Sequence, residues 1–161
     1  MNWSIELQLA AHILLAAFLG AVIGMEREYR VGLAGIRTHA TVAIGACLFG
    51  FISFNVSEGS GLSSVMGSAD PSRIASQIVT GIGFLGAGVI LRDKGHVRGL
   101  TTAASVWATA SVGLAVANRM YILAISSTFI ILLLLSLYRV PIFIAWKERT
   151  RRQHEEEEER D

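Results

Sequence analysis

Apolar residues dominate five separate stretches of the chain, and polar or glycine-rich segments divide them. Each stretch approaches the ~20 residues with which a helix crosses about 30 Å of hydrocarbon. We therefore predict five transmembrane helices, at about residues 5–25, 38–54, 72–91, 101–117 and 120–146. The predicted fold class is an all-α, polytopic transmembrane helix bundle, with residues 1–146 as the transmembrane domain and residues 147–161 as a charged tail.

The composition supports lipid as the solvent of this chain. Of its 161 residues 52% are hydrophobic and only 17% are charged, which is too apolar for a soluble domain of this size. Nucleic acid is therefore not expected as a partner. The sequence shows no catalytic constellation, no phosphate loop and no Cys/His cluster with metal-ligand spacing, so we expect neither an enzyme nor a cofactor, and the metal-binding residues stay unknown.

The positive charges predict an orientation. Twelve of the 14 Lys and Arg residues fall in the first loop, in the third loop or at the C-terminal end, and only Arg73 and Arg119 fall elsewhere. Short loops rich in Lys and Arg stay in the cytoplasm. This alternation requires an odd number of helices, with the N-terminus outside and the C-terminus in the cytoplasm.

Small residues recur at helical spacing, and in lipid they let helix backbones approach closely. Gly20 and Gly24 lie four residues apart in the first helix and predict a homodimer interface. The third helix carries four glycines, with two interpretations: tight packing, or a broken helix whose free carbonyl groups bind a cation. These four are Gly81, Gly83, Gly86 and Gly88.

Asp70, Arg73 and Gln77 share one face at the start of the third helix, because they stand at positions i, i+3 and i+7. Asp70 before Pro71 fits a helix N-cap, with Arg73 reaching the membrane surface. Alternatively the three form a polar cluster at the mouth of a cavity between helices. Gln77 favours the cluster, because it lies too deep to serve as a cap.

Two further polar sets allow two interpretations each. His12 shares a face of the first helix with Gln8, and it either hydrogen-bonds to another helix or relays protons. At the other end, Arg37 either pairs with Glu26 or only sets the topology. Thr38 and Thr101 are predicted N-caps of the second and fourth helices.

Four motifs together resemble the MgtC/SapB family of bacterial inner-membrane proteins. They occur in family order over about residues 10–117: GMER at 24–27, GIRT at 35–38, GIGFLGAG at 81–88, and GLTTAA at 99–104 with Trp107. These motifs, together with the spacing of small residues and the charges of the loops, predict a charged cytoplasmic motif and a set of packing residues. The charged motif consists of Glu26, Arg27, Arg37, Thr38 and Arg92. The packing residues are Gly20, Gly24, Gly81, Gly83, Gly86, Gly88, Thr101, Thr102 and Trp107.

The resemblance implies a multi-pass protein of the inner membrane that is linked to magnesium limitation. Many members also carry a soluble C-terminal domain that resembles ACT modules, where this sequence has a short charged tail. Some members resemble regulators that bind membrane complexes such as the F-type ATP synthase. The partners it implies are the lipid bilayer, such a membrane complex and magnesium.

Two functions compete at this point. A magnesium path needs carboxylates or carbonyls around a mostly hydrated ion, and Asp70, the only carboxylate near the third helix, stands beside the repelling charge of Arg73. A regulator or partner-binding protein needs only a stable bundle with exposed faces. The sequence therefore favours a regulator or partner-binding protein, and a magnesium or other cation transporter is the alternative.

Overall fold

The computed structural model describes residues 3–30, 32–58, 72–93 and 96–137. They form five helices and one short hairpin of two antiparallel strands. The helices are α1 (Trp3–Tyr29), α2 (Ile36–Glu58), α3 (Ser72–Val89), α4 (Leu100–Ala117) and α5 (Tyr121–Ser136). The strands are β1 (Leu91–Asp93) and β2 (His96–Arg98). The five predicted helices are confirmed, with boundaries that differ by up to four residues at the ends that the structure describes.

Helix α4 is the centre of the bundle, because it contacts each of the other four helices. Half of its residues are buried, and small or β-branched side chains make up the buried face. The main apolar cluster joins α1, α2, α4 and α5, and includes Ile23, Cys47, Val112 and Val116. Helix α3 lies to one side, where it contacts α4 and α2.

Three of the five helices are long and apolar enough to cross a membrane, and they contain the segments Glu6–Tyr29, Ile36–Ser53 and Leu100–Ala117. The other two, at Ala75–Val89 and Tyr121–Ser136, are apolar but shorter. Residues 138–161, which contain the end of the predicted fifth helix and the charged tail, lie outside the described residues.

The hairpin replaces the loop that the sequence predicted after the third helix. Helix α3 ends at Val89, two residues earlier than predicted, and β1 pairs with β2 in the register Leu91 to Arg98, Arg92 to Val97 and Asp93 to His96. Gly99 follows with a φ of 91°, in the left-handed region that favours glycine. A side chain at Gly99 would clash with the carbonyl of Val89, so the chain turns closely back onto the end of α3.

Helix α4 ends in a Schellman motif. The backbone N–H of Arg119 donates to the carbonyl of Val116 and that of Met120 to the carbonyl of Ala115, both at 2.9 Å. Arg119 has a φ of 58°, as this motif requires of the residue that reverses the chain. Only three residues therefore separate α4 from α5.

The connections α1–α2 and α3–α4 lie at the same end of the bundle. Arg27, near the end of α1, reaches Thr102 in the first turn of α4. A methyl group on Gly99 would also lie 3.2 Å from a methyl carbon of Leu33 in the α1–α2 loop. We call this the Arg27 end.

Candidate functional site

The contact between α1 and α2 depends on two glycines of α1. A Cβ atom added to Gly20 would lie 2.6 Å from the carbonyl oxygen of His39, and one added to Gly24 would lie 2.6 Å from Cα of Ile36. Such distances leave no room for any side chain, so the backbones themselves are in contact. Gly20 and Gly24 therefore face α2 of the same chain, and this face is not open to a second copy.

Helix α2 is held equally closely on its α4 side. A Cβ atom on Gly113 would clash with the carbonyl of Ala43, and one on Gly50 would lie 2.7 Å from Cβ of Ala117. With both neighbours at backbone distance, polar groups on facing sides of α1, α2 and α4 are close enough to hydrogen-bond directly.

His39 occupies the space between α2 and α4 and is completely buried. Its Nδ1 donates to the carbonyl of Gly35 at 2.9 Å, since a carbonyl can only accept, and its Nε2 lies 3.0 Å from Oγ of Ser105. Ser105 also lies 2.9 Å from the carbonyl of Thr102. Its single hydroxyl hydrogen serves Nε2 when His39 is neutral, and the carbonyl of Thr102 when the ring is protonated.

Arg27 extends this network to α1. Its Nη2 donates to Oγ1 of Thr102 at 3.0 Å, across 75 positions of sequence. Thr102 is 2% exposed and Ser105 3%, so water does not compete for these bonds. We call Arg27, His39, Thr102 and Ser105 the polar clamp, because together they link α1, α2 and α4.

The carboxylates beside the polar clamp are both engaged locally. Oε1 of Glu26 accepts from Nε of Arg30 at 3.0 Å, one turn along α1. Oε2 of Glu28 accepts the backbone N–H of Ile36 at 2.9 Å and so caps the start of α2. Arg37, proposed from the sequence as the partner of Glu26, is instead exposed, and it has no ion pair or hydrogen bond with another described residue.

Two predicted helix caps are wrong. Helix α2 begins at Ile36, two residues before Thr38, and Glu28 supplies the cap through space. Helix α4 begins at Leu100 after Gly99, which makes no side-chain hydrogen bond, and Thr101 is exposed. The buried hydroxyl is that of its neighbour Thr102.

At the opposite end, His12 joins α1 to α5. Its Nδ1 donates to the carbonyl of Gln8, its Nε2 accepts the hydroxyl of Tyr121 at 2.5 Å, and its ring meets that of Phe51 edge-on at 5.4 Å. The interhelical hydrogen bond predicted for His12 is therefore confirmed.

The predicted polar cluster at the start of α3 is only partly visible. Asp70 and the side chain of Arg73 lie outside the described residues. Gln77 is exposed and lines a cavity of about 430 Å³ between α2 and α3, together with Gly45 and Gly81. A second cavity of about 330 Å³ adjoins the first at Leu85 and continues to the Arg27 end. We call the two cavities together the α2–α3 groove.

The glycines of α3 are not packed as the sequence led us to expect. A Cβ atom on Gly81, Gly83 or Gly88 would meet nothing within 4 Å, and one on Gly86 would make an ordinary contact of 3.7 Å with Ala103. Helix α3 is continuous through all four. Trp107, also expected to pack, is 49% exposed.

His39, Ser105 and Glu28 belong to the site but were missed as polar partners. The sequence suggested no pairing of Ser105 with His39, because the two residues stand 66 positions apart. The signal available was the spacing of small residues around one histidine in an apolar stretch, with Gly35 four residues before His39 and Ala43 four residues after it. In the described part of the chain, no three His, Cys, Asp or Glu side chains group as metal ligands.

Comparison with known proteins shows that the chain is similar in sequence to members of one family. The sequence profile of the MgtC family matches residues 13–141. Protein MgtC of Salmonella typhimurium (strain LT2) is 46% identical over 121 residues, which is 75% of this chain and 48% of that protein. Protein MgtC of Brucella abortus is 44% identical over 132 residues, 81% of this chain and 52% of that protein.

A protein of Escherichia coli (strain K12) named "Putative magnesium transporter YhiD" is 42% identical over 127 residues, 78% of this chain and 58% of that protein. The chain thus spans about half the length of the curated relatives it matches. No solved structure matches it significantly.

Proposed function

Because the chain belongs to the MgtC family, we propose that it is a multi-pass protein of the bacterial inner membrane that serves adaptation to low magnesium. In this proposal it acts as a regulator that binds a membrane partner, without catalysing a reaction and without conducting the ion. The magnesium link is taken from the name of the relative YhiD.

One observation carries the proposal of a regulator: the buried imidazole and hydroxyl groups between α2 and α4 bond to one another. The buried N–H groups without a partner among the described residues belong to Arg27 and Arg30, whose charge repels a cation. Both ring nitrogens of His39 are engaged, and Thr102 and Ser105 are buried with their hydroxyls bonded. A hydrated ion path needs polar groups that are free to bind the ion or its water. At Gly24 and Gly113 the backbones are so close that no side chain fits between the helices.

The same family membership supports the alternative of cation transport, since one relative is named as a putative magnesium transporter. This alternative places the path on the α3 side, where Gln77 lines the groove. It predicts that Asp70→Asn abolishes function although asparagine caps helices about as well as aspartate. Full growth of the Asp70→Asn variant in low magnesium would show that the function does not require the carboxylate of Asp70.

Two assays on the same protein separate the functions. The wild-type chain, expressed in a bacterium that lacks its own family member, should restore growth in low magnesium. Purified and reconstituted into liposomes with a magnesium-sensitive dye inside, it should give no flux above protein-free liposomes. Flux that rises with protein content and is lost in Asp70→Asn would favour transport and overturn the regulator.

The orientation is part of the proposal. The Arg27 end carries the two basic connections, and basic connections face the cytoplasm. A cysteine-free variant with single cysteines returned at Ser63 and Gln153 should react with an impermeant reagent from outside at position 63 only. Labelling at position 153 instead would reverse the orientation.

Two partners are proposed. One is a second copy of the chain, and the other is a membrane complex such as the F-type ATP synthase. Crosslinking in membranes followed by mass spectrometry should recover a complex whose amount rises in low magnesium. Recovery of the monomer alone, in the strain whose growth the protein restores, would contradict a partner-binding role.

A further inference from the structure

Three arginines at the Arg27 end have no anionic partner within the described residues. Arg37, Arg92 and Arg98 are all exposed, and none forms an ion pair with a described side chain. The nearby carboxylates whose side chains the structure describes are already used, Glu26 by Arg30 and Glu28 by the start of α2. Among the described side chains, the three arginines are therefore without a counter-charge.

These arginines adjoin the mouth of the α2–α3 groove. Arg37 precedes Thr38, and Arg92 follows Val89 by three residues, and both Thr38 and Val89 line the cavity at this end. Arg98 precedes Gly99, which is packed against Val89 and Leu33, the latter also a lining residue. Arg37 thus adjoins the rim of the apolar opening, and the hairpin that follows α3 carries Arg98 on the face of Leu91 and Arg92 on the opposite face.

The groove itself has the length of one leaflet. Its lining runs along α3 from Gln77 to Val89, which at 1.5 Å per residue is about 18 Å. Half of the ~30 Å hydrocarbon thickness is about 15 Å. The lining is almost wholly apolar in the cavity at Gln77 and partly polar in the cavity at the Arg27 end. Gly45 and Gly81 keep the first cavity deep, because nothing occupies the space where their side chains would stand.

We propose that the α2–α3 groove binds an anionic phospholipid, with one acyl chain along α2 and α3 and the phosphate at the rim beside Arg37 and the hairpin arginines. An apolar slot of leaflet length that ends at unpaired guanidinium groups has the amphipathic pattern of this ligand. Guanidinium groups bind phosphate oxygens in charge-assisted pairs. The charge at the rim favours an anionic lipid over an uncharged apolar helix, because such a helix would leave the three arginines without an anionic partner. This inference concerns a site separate from the polar clamp and does not depend on the magnesium-related function.

The test compares two lipids with identical acyl chains. The full chain, purified in neutral detergent, is incubated with equimolar phosphatidylglycerol and phosphatidylcholine, and bound lipid is counted by native mass spectrometry. We expect phosphatidylglycerol to be preferred by at least about fivefold, the effect of a single Lys or Arg near an anionic membrane surface. Glycerol phosphate at the same concentration should not displace it, since the acyl chain is needed.

Two sets of variants locate the site. The triple change R37Q/R92Q/R98Q should remove the preference, whereas Arg119→Gln, at the opposite end, should keep it. Gly81→Leu fills the groove and should reduce bound phosphatidylglycerol at least about fivefold, and Gly83→Leu is its matched control. Gly83 is equally open but does not line the groove.

Three outcomes would overturn the proposal. Equal binding of both lipids, or an unchanged preference in the triple variant, would show that the arginines do not select a phosphate. Displacement by glycerol phosphate would point to a free anion. If Gly81→Leu converts a dimer to a monomer while lipid binding is unchanged, the groove belongs to a second copy of the chain.

Discussion

Helix α2 packs closely against α4 on one side and borders the open α2–α3 groove on the other. Its glycines show this difference. Gly50 lies against α4, where an added side chain would collide with Ala117, while Gly45 faces the groove and meets nothing within 4 Å. The polar residues divide in the same way. His39 is completely buried with both ring nitrogens bonded, whereas Gln77 across the groove is exposed.

This contrast shows what small residues contribute in a membrane. Lipid is as apolar as leucine, so helices gain little from burying apolar area and depend on close contact and hydrogen bonds. The α1–α2–α4 side has both and forms the stable part of the bundle. On the α2–α3 side, Ile78 and Ile82 pack against the buried cluster that includes Val42, but no atom of a neighbouring helix lies within 4 Å of the Cβ positions of Gly45 and Gly81. The space at these glycines is open for a ligand.

The largest expected effect tests the closed side at its closest contact. Gly113→Leu should destabilise the protein by more than about 3 kcal/mol, because the side chain would be forced into the backbone of Ala43. The measurement is the unfolding free energy in mixed detergent and SDS. Gly83→Leu, on the open side, is the control and should change it by less than about 0.5 kcal/mol. Equal losses would mean that the two sides do not differ.

The next effect concerns the centre of the polar clamp. His39→Ala should cost about 2 kcal/mol, because it leaves the carbonyl of Gly35 and the hydroxyl of Ser105 without their partner and opens a cavity. His96→Ala, in the exposed hairpin, should be neutral in the same unfolding assay. A neutral His39→Ala would show that α2 and α4 are held by packing alone.

A smaller effect is expected from neighbouring threonines of α4. Thr102→Val keeps the shape but removes the acceptor for Arg27, and should cost about 1 kcal/mol, near the range measured for interhelical hydrogen bonds in membranes. Thr101→Val makes the same chemical change at an exposed position and should cost nothing. If the two variants lose equal stability, the bond from Arg27 is not the cause.

The smallest expected change in stability comes from replacing single glycines with alanine, and its sign differs between the open and the closed side of the bundle. Gly83→Ala should stabilise the protein by about 0.5 kcal/mol, since alanine favours the helix and its methyl group meets open space. Gly24→Ala should destabilise it, because the same methyl group would lie 2.6 Å from Cα of Ile36. Thermal midpoints in one detergent compare them directly, and a gain in both would contradict the close α1–α2 contact.

The sequence was sufficient for the number and order of helices, because hydrocarbon thickness imposes a length on every apolar stretch. It was not sufficient for the hairpin, since strands of three residues are too short to show an alternating pattern. The glycines expose a second limit. Gly81 and Gly113 both stand in apolar stretches of the sequence. Only the three-dimensional arrangement shows which of them contacts the backbone of another helix.

The motifs that contain Glu26, Arg27 and Thr102 lie at the end of the bundle where the polar clamp forms. The sequence did not show how the side chains of the clamp pair. The pairing of His39 with Ser105 was beyond reach, because it joins residues 66 positions apart that share no local pattern. Glu28 was missed because it caps a helix other than its own.

The polar clamp also has a consequence for biogenesis. Its two halves are synthesised far apart in time, since Arg27 and His39 leave the ribosome well before Thr102 and Ser105. Before α4 is inserted, the guanidinium of Arg27 and the imidazole of His39 lack their partners on α4. Unpaired polar groups are costly within a membrane. The polar clamp can therefore form only after α4 has been inserted beside α1 and α2.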